Sequence, residues 1–182
     1  MSLTDHSEAA TGLTAAAVDG SWTLDAGASS VEFTGRHFFF LPVTGSLPVR
    51  SGSAVLRGGL RKVEAEVDAA GFSTGNANRD KAVRGPGFLD ADRFPSIRFT
   101  GEHLTTGEPW RVTGLIEVKG RSVPLAFTVD TGACTVSPDG TRAVVHATAE
   151  LDRHACGVSA MRPLVGPRLR LRVTAAFVRT AE

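Results

Sequence analysis

The dominant pattern along the chain is an alternation of apolar and polar residues with a period of two. Near the C-terminus, Leu169 and Leu171 fall on one face, whereas Arg168 and Arg170 fall on the other. Such alternation is typical of a β-strand with one face toward water and one toward an apolar interior. Eight stretches show it: residues 31–36, 43–49, 63–69, 97–102, 112–118, 123–129, 142–152 and 168–178.

Turn sequences separate several of these stretches and predict how the strands connect. They are Gly58-Gly59, residues 106–109, Lys119-Gly120 and residues 138–140. Strands joined by such short turns pair as antiparallel hairpins. Eight of them with one apolar face form a barrel or a two-sheet sandwich, and the length of the last two stretches favours the barrel. We predict an all-β, eight-stranded antiparallel barrel over residues 21–182, after a disordered tail of residues 1–20.

One segment, between Gly71 and Pro95, breaks the alternation. Asn76 is a good N-cap for a short helix ending at Arg84, and the sequence Gly-Pro-Gly at 85–87 stops it. Apolar residues follow in a loop, namely Phe88, Leu89 and Phe94. We expect them to fold this segment over one end of the barrel, as a plug or a lid.

The predicted inward face is rich in small residues, which bears on whether the barrel is hollow. These are Gly35, Gly45, Ala65, Ala69, Gly101, Gly114, Ala147, Ala149 and Ala175. An eight-stranded barrel either fills its interior with side chains or encloses one ligand. The small residues leave room for a ligand, but Phe33, Phe99 and Phe127 could fill the same space, and the pattern leaves both interpretations open.

Composition limits which classes of protein the sequence favours. The 182 residues carry 20 Lys and Arg against 19 Asp and Glu, so the net charge of +1 gives no support to nucleic-acid binding or to an anionic-membrane surface protein. No apolar run is long enough for a membrane helix. The first residues lack the pattern of a signal peptide, so we expect a cytoplasmic protein in which Cys134 and Cys156 are reduced thiols.

Motifs distributed in order over residues 22–179 resemble the YceI family of lipocalin-like, polyisoprenoid-binding bacterial proteins. The resemblance is strongest at Thr74-Gly75-Asn76 with Arg79-Asp80, in the segment that breaks the alternation. The other matching positions are Trp22 to Asp25, Ser29 to Phe33, Arg36-His37, Phe88 to Asp90, Phe94-Pro95, Val112 to Gly114, Lys119-Gly120, Val123 to Leu125, and Arg153 with Gly157. Three features depart from the family pattern: Ala82 replaces a frequent histidine, Cys156 replaces a usual phenylalanine, and the aromatic-rich Phe38-Phe39-Phe40 with Pro42 is unusual.

The resemblance implies an extended barrel whose apolar tunnel holds a long isoprenoid tail or another amphipathic molecule, without a family-wide catalytic chemistry. We expect the ligand to contact residues on the inward face and in the interrupting segment: Phe33, His37, Val67, Phe88, Phe94, Phe99, Ile116, Phe127 and Ala147. Arg79 and Asp80 would either contact a polar head group or anchor the segment through charge-assisted hydrogen bonds. No cofactor is implied, and the His154-x-Cys156 spacing is too weak to indicate a metal site.

Two classes of function follow from the sequence. The first is non-catalytic carriage or sequestration of a long apolar or amphipathic ligand, such as a polyisoprenoid or a quinone, by a monomer or a homodimer. The alternative is an enzyme, or a cyclase-like accessory protein, that uses the barrel as a reaction chamber. An enzyme needs titratable groups inside the pocket, and by parity only His37 and His103 point inward. A structural protein of the stress response, with an incidental tunnel, is a third interpretation.

Overall fold

The computed structural model describes residues 11–38, 40–162 and 164–181. These residues form twelve strands and one α-helix, with two short 3-10 turns at Ala26–Ala28 and Ala69–Gly71. The strands are β1 (Thr11–Gly12), β2 (Gly20–Leu24), β3 (Ser30–His37), β4 (Leu41–Leu47), β5 (Val49–Leu56), β6 (Leu60–Asp68), β7 (Ser96–Thr105), β8 (Trp110–Val118), β9 (Arg121–Val129), β10 (Thr135–Val136), β11 (Arg142–Asp152) and β12 (Arg168–Arg179). The helix α1 spans Ala77–Arg84. None of the helices in these ranges is long and apolar enough to cross a membrane.

The strands form a closed antiparallel barrel. Around the barrel, β5, β6, β7, β8 and β9 pair in sequence order, and β9 pairs with β11. Strand β12 closes the circle, because it pairs with β11 along its whole length on one side and with β2 and β3 on the other.

Two of the eight barrel strands are interrupted, so each of them comprises two of the twelve segments, and the two-residue strands β1 and β10 lie outside the barrel circle. Strands β2 and β3 both pair with β12 in one continuous direction, and the 3-10 turn Ala26–Ala28 separates them. Strands β4 and β5 likewise run on from each other and are broken only at Pro48. The eight alternating stretches lie in eight different barrel strands, so the predicted fold class is confirmed. The sequence pattern missed β2 and most of β5.

The predicted helix is confirmed, with its N-cap at the expected residue. The Oδ1 atom of Asn76 accepts a hydrogen bond from the backbone N–H of Arg79 at 3.0 Å. The preceding segment pairs with β4, since the backbone groups of Ser46 and Ser73 exchange hydrogen bonds of 2.8 and 3.0 Å. This pairing brings α1 to one end of the barrel, where Val83 and Leu89 pack against the core.

The predicted tail needs correction over residues 11–20, whereas residues 1–10 lie outside the described residues. Val18 is buried in the core, and its carbonyl accepts a hydrogen bond of 2.8 Å from the indole N–H of Trp22. The Arg179 guanidinium donates to the carbonyl of Ala17 at 3.0 Å. Strand β1 pairs with β10. Residues 11–20 therefore cover one end of the barrel, although they carry no strand periodicity.

The buried apolar residues fall into two clusters, one toward each end of the barrel. One cluster contains Trp22, Trp110, Val18 and Cys134, beneath the N-terminal segment. The other contains Phe33, Phe72, Ile116, Leu151 and Cys156, beneath α1. The two free cysteines thus belong to different clusters.

Candidate functional site

The barrel encloses a cavity of about 670 Å³, within the range of roughly 300–1,000 Å³ typical of small-molecule sites. Every one of the eight barrel strands contributes to its wall, which is overwhelmingly apolar. The described polar residues that line it are Ser29, Arg36, His37, Thr74, Asn76, Arg79, Arg153 and Thr174. Aspartate and glutamate are absent from the described lining, so its charged groups are all cationic.

The exposed members of the lining locate the mouth of the cavity. They are Arg36 at the end of β3, Asn76 and Ala82 around α1, and Met161 in the loop between β11 and β12. All of them lie at the end of the barrel that α1 covers. The opposite end is closed by the cluster around Trp22 and Trp110.

Eight of the nine residues expected to contact a ligand line this cavity. They are Phe33, His37, Val67, Phe88, Phe99, Ile116, Phe127 and Ala147. The wall is ordered by aromatic contacts: the rings of Phe99 and Phe127 meet edge to face at 5.0 Å, and Phe33 stacks on Phe72 at 4.8 Å.

Phe94 is the exception, because it lies outside the cavity lining. Its ring packs beside Gly120, where an added Cβ would come within 3.1 Å of the ring, and the Arg93 guanidinium lies 5.4 Å from the ring centroid. Phe94 sits in a loop, where no periodicity predicts which way a side chain points. It fastens the loop to the β8–β9 turn and leaves Phe88 to face the cavity.

The small inward residues do not all create space. A Cβ on Gly45 would collide with the Phe33 ring, and a Cβ on Gly101 would come within 2.8–2.9 Å of Val63 and Val112. Neighbouring side chains therefore occupy the volume that these glycines leave. The alanines differ, since Ala65, Ala147 and Ala175 line the open cavity. Each of the two interpretations of the small residues holds for part of the wall.

Arg79 and Asp80 share Thr74 but differ in their relation to the cavity. One Asp80 carboxylate oxygen accepts hydrogen bonds from the Thr74 hydroxyl at 2.6 Å and from the Thr74 N–H at 2.8 Å. These bonds hold the pKa of Asp80 below its usual value, against the opposing effect of burial. Asp80 is thus an anchor of the segment. Arg79 donates from Nε to the Thr74 hydroxyl at 2.8 Å and also lines the cavity.

Arg153 is a cavity residue that the sequence analysis treated only as part of a motif. Its side chain is buried, and it donates four hydrogen bonds to backbone carbonyls of the β11–β12 loop. The acceptors are Val158, Ala160, Val165 and Gly166, at 2.7 to 3.0 Å. Burial lowers the pKa of Arg153. A guanidinium has five N–H donors, and four of those of Arg153 have an acceptor among the described residues.

Of the two histidines expected to point inward, a β-bulge turns His103 outward, and only His37 lines the cavity. In the β7–β8 pairing, Gly101 faces Gly114 but His103 faces Thr113, so the bulge at Glu102 reverses the parity. His103 is therefore exposed, and its predicted inward position is wrong. His37 is half-buried at the mouth, with its ring 4.1 Å from the Phe38 ring.

The remaining reactive group on the wall is the Cys156 thiol. Burial raises its pKa to about 11, so the unreactive thiol form dominates at neutral pH. Within residues 11–38, 40–162 and 164–181, no three His, Cys, Asp or Glu side chains come together as a metal site. The described wall consists mainly of apolar groups, with arginines among its polar residues.

Solved structures of other proteins share this fold. A polyisoprenoid-binding domain from Saccharophagus degradans superimposes with a TM-score of 0.68 at 16% identity, covering 87% of this chain and 98% of that one. BcnA from Burkholderia cenocepacia gives 0.65 at 17%, covering 84% and 98%. The YCEI protein of Campylobacter jejuni gives 0.61 at 17%, covering 80% and 90%.

No curated protein matches the sequence. The structural likenesses, at less than a fifth identity, establish the fold alone. The family model of the YceI-like domain matches residues 22–177. This match spans all eight strands of the barrel and α1, and the chain therefore belongs to the YceI-like family.

Proposed function

We propose that the protein binds a long-chain amphipathic lipid in its barrel, for carriage or sequestration and without catalysis. The observation that carries the proposal is the enclosed apolar cavity with its opening at the α1 end. Burying apolar ligand surface contributes about 25 cal/mol per Å² before the costs of association, which makes an apolar tail the natural occupant. The family membership and the polyisoprenoid-binding neighbour support the same role.

The polar groups of the wall suit a ligand head group that accepts hydrogen bonds. Arg79 and Arg153 present guanidinium groups, and among the described residues neither has a carboxylate within ion-pair distance. The carbonyl of an isoprenoid quinone, a phosphate or a carboxylate would each accept from them. We place the head group at the mouth and the tail against Phe99, Phe127 and Ala147. An enzymatic role is less favoured, because His103 is exposed and Cys156 is a high-pKa thiol.

Two measurements test the proposal. Mass spectrometry of organic extracts of the purified protein is expected to identify a long-chain lipid, and a fluorescent fatty-acid probe is expected to bind with one site per chain. Failure of both long-chain fatty acids and prenyl alcohols to displace the probe would contradict the proposal. Arg79→Gln tests the role of this arginine. If Arg79 binds the head group, the substitution is expected to lower the affinity for the fatty acid more than the affinity for the alcohol of equal length. A purely anchoring role of Arg79 predicts equal losses for both.

A further inference from the structure

The rim of the cavity mouth carries a group of exposed large apolar side chains, which we call the apolar tip. Its members are Phe38, Phe40, Leu41, Met161 and Leu164. Phe40 is 73% exposed. In the described part of the chain, the only other exposed large hydrophobic residue is Leu115, on β8. Exposed apolar side chains concentrated in one place mark interaction sites, whereas isolated ones need no explanation.

The two segments of the apolar tip are joined into one surface. The N–H of Phe38 donates to the carbonyl of Leu164 at 2.7 Å, and the N–H of Gly166 donates to the carbonyl of Arg36 at 2.9 Å. His37 and Val165 form an antiparallel bridge between these bonds. The β3–β4 turn and the β11–β12 loop therefore present their apolar side chains together.

Two of these side chains are held on backbone that favours glycine. Phe38 has φ of 49° and Met161 has φ of 60°, and both lie in the left-handed region. A bulky residue there is an uncommon choice, because glycine adopts this conformation without steric cost. The chain thus places large apolar side chains at two exposed positions where a small residue would be less strained.

The charge around the apolar tip is segregated by sequence segment. Residues 33–63 and 153–181 contain no aspartate or glutamate, although the whole chain is nearly neutral. Exposed Arg36 and Arg162 border the tip. Acidic groups near this end belong to other segments. Asp80 is hydrogen-bonded to Thr74, and Asp152 is the last residue of β11, where it lies opposite Arg168 in the pairing with β12.

We propose that the apolar tip docks on the surface of an anionic lipid bilayer, with the cavity mouth facing the membrane. Aromatic and aliphatic side chains beside arginines suit the boundary between head groups and acyl chains. Anionic lipids supply the complement to Arg36 and Arg162. Docking stands on the apolar tip and its bordering arginines and does not depend on the proposed function. Its use, the exchange of a lipid between membrane and cavity, rests on the proposed function.

Sedimentation with vesicles tests the docking. Vesicles of phosphatidylcholine with about a third phosphatidylglycerol are expected to bind the full chain more strongly than phosphatidylcholine alone. Phe38→Ser with Phe40→Ser is expected to lower the binding constant at least about tenfold. Leu115→Ser, the matched control on β8, is expected to bind like the wild type. Arg162→Gln is expected to weaken binding about fivefold, and Arg111→Gln, on β8, to leave it unchanged.

Three outcomes would overturn the docking proposal. They are absence of wild-type binding to the anionic vesicles, an equal loss in the Leu115 and the Phe38/Phe40 variants, and dimers in light scattering that the Phe38/Phe40 change dissociates while vesicle binding is absent. Binding of the fluorescent fatty-acid probe in solution separates this result from the proposed function. Phe38 and Phe40 are not part of the cavity lining, so their variant is expected to keep the probe affinity of the wild type.

Discussion

The Nε–H of Arg153 donates a hydrogen bond to the carbonyl of Gly166 at 2.9 Å, which ties the start of the β11–β12 loop to its end. The same guanidinium reaches the carbonyl of Val158 in the middle of the loop at 2.9 Å. One buried cation thereby organises a segment that has little regular structure of its own. Because this loop forms part of the cavity mouth, its order bears on both ligand entry and the position of the apolar tip.

Replacing Arg153 is expected to destabilise the fold strongly. Arg153→Met leaves several partly buried carbonyls without a donor, and removing one partner from such a network costs about 3 kcal/mol or more. The free energy of unfolding, measured in urea, checks this expectation. Arg170→Met is the control, because Arg170 is exposed on β12 and its loss is expected to change stability by less than about 0.5 kcal/mol. Equal stability of both variants would mean that the carbonyl bonds do not hold the loop.

Removal of residues 1–18 is expected to lower stability, in contrast to the disordered tail that the sequence predicts for residues 1–20. The truncation deletes buried Val18 and leaves the buried indole N–H of Trp22 without its acceptor. An unpaired buried donor alone costs about 1–3 kcal/mol. Thermal unfolding measures the loss. A variant lacking only residues 1–10 retains the contacts of Ala17 and Val18 and serves as the comparison. Equal melting temperatures of the two truncated variants would show that the N-terminal segment does not close the barrel.

The Asp80 carboxylate is expected to contribute stability that disappears in acid. Its folded pKa lies below the ordinary value of 3.8, because the Thr74 hydroxyl and N–H bond the ionised form. The contribution is therefore present above pH 3.8 and is lost as the pH falls through the lower folded value. Urea midpoints between pH 6 and the acid limit of folding measure it.

The wild type is accordingly expected to lose more stability than Asp80→Asn as the pH falls below about 4. Asp92→Asn, at an exposed position after α1, is expected to follow the wild type. Parallel curves for the wild type and Asp80→Asn would show that the carboxylate charge contributes nothing to anchoring α1.

The fold was predictable to the extent that each strand carries a clean period of two. Strand β2 escaped because Ala26–Ala28 interrupts it after five residues, and β5 escaped because small and polar residues blur its two faces. The side to which His103 points depends on one bulge, which no alternation reveals. The N-terminal segment closes the barrel with scattered contacts, such as that of Val18, which have no period.

The site was predictable in outline, since parity placed most wall residues correctly. Phe94 lies in a loop, where parity has no meaning, and so its orientation depended on the partner Gly120. The volume of the cavity could not be derived from small residues, because whether a neighbour fills the space is a property of packing. The Phe33 ring occupies the space beside Gly45, whereas Ala147 faces the open cavity. The role of Arg153 could not be predicted, because its hydrogen-bond partners are backbone carbonyls, which every residue carries whatever its type.

Enlarging one side chain of the cavity wall tests most directly whether the ligand lies inside the barrel. The pair of variants is Ala147→Phe and Thr148→Phe. These neighbours on β11 point to opposite faces of the barrel wall, since Ala147 lines the cavity and Thr148 is exposed. Ala65→Phe and Ala175→Phe repeat the inward change on other strands. Overpacking costs about 1–3 kcal/mol, so each variant is first shown to be folded. The measurement is then uptake of a long-chain prenyl alcohol or a fluorescent apolar probe. A ligand inside the barrel predicts weaker uptake by the inward variants and wild-type uptake by Thr148→Phe, whereas equal uptake by all of them would contradict it.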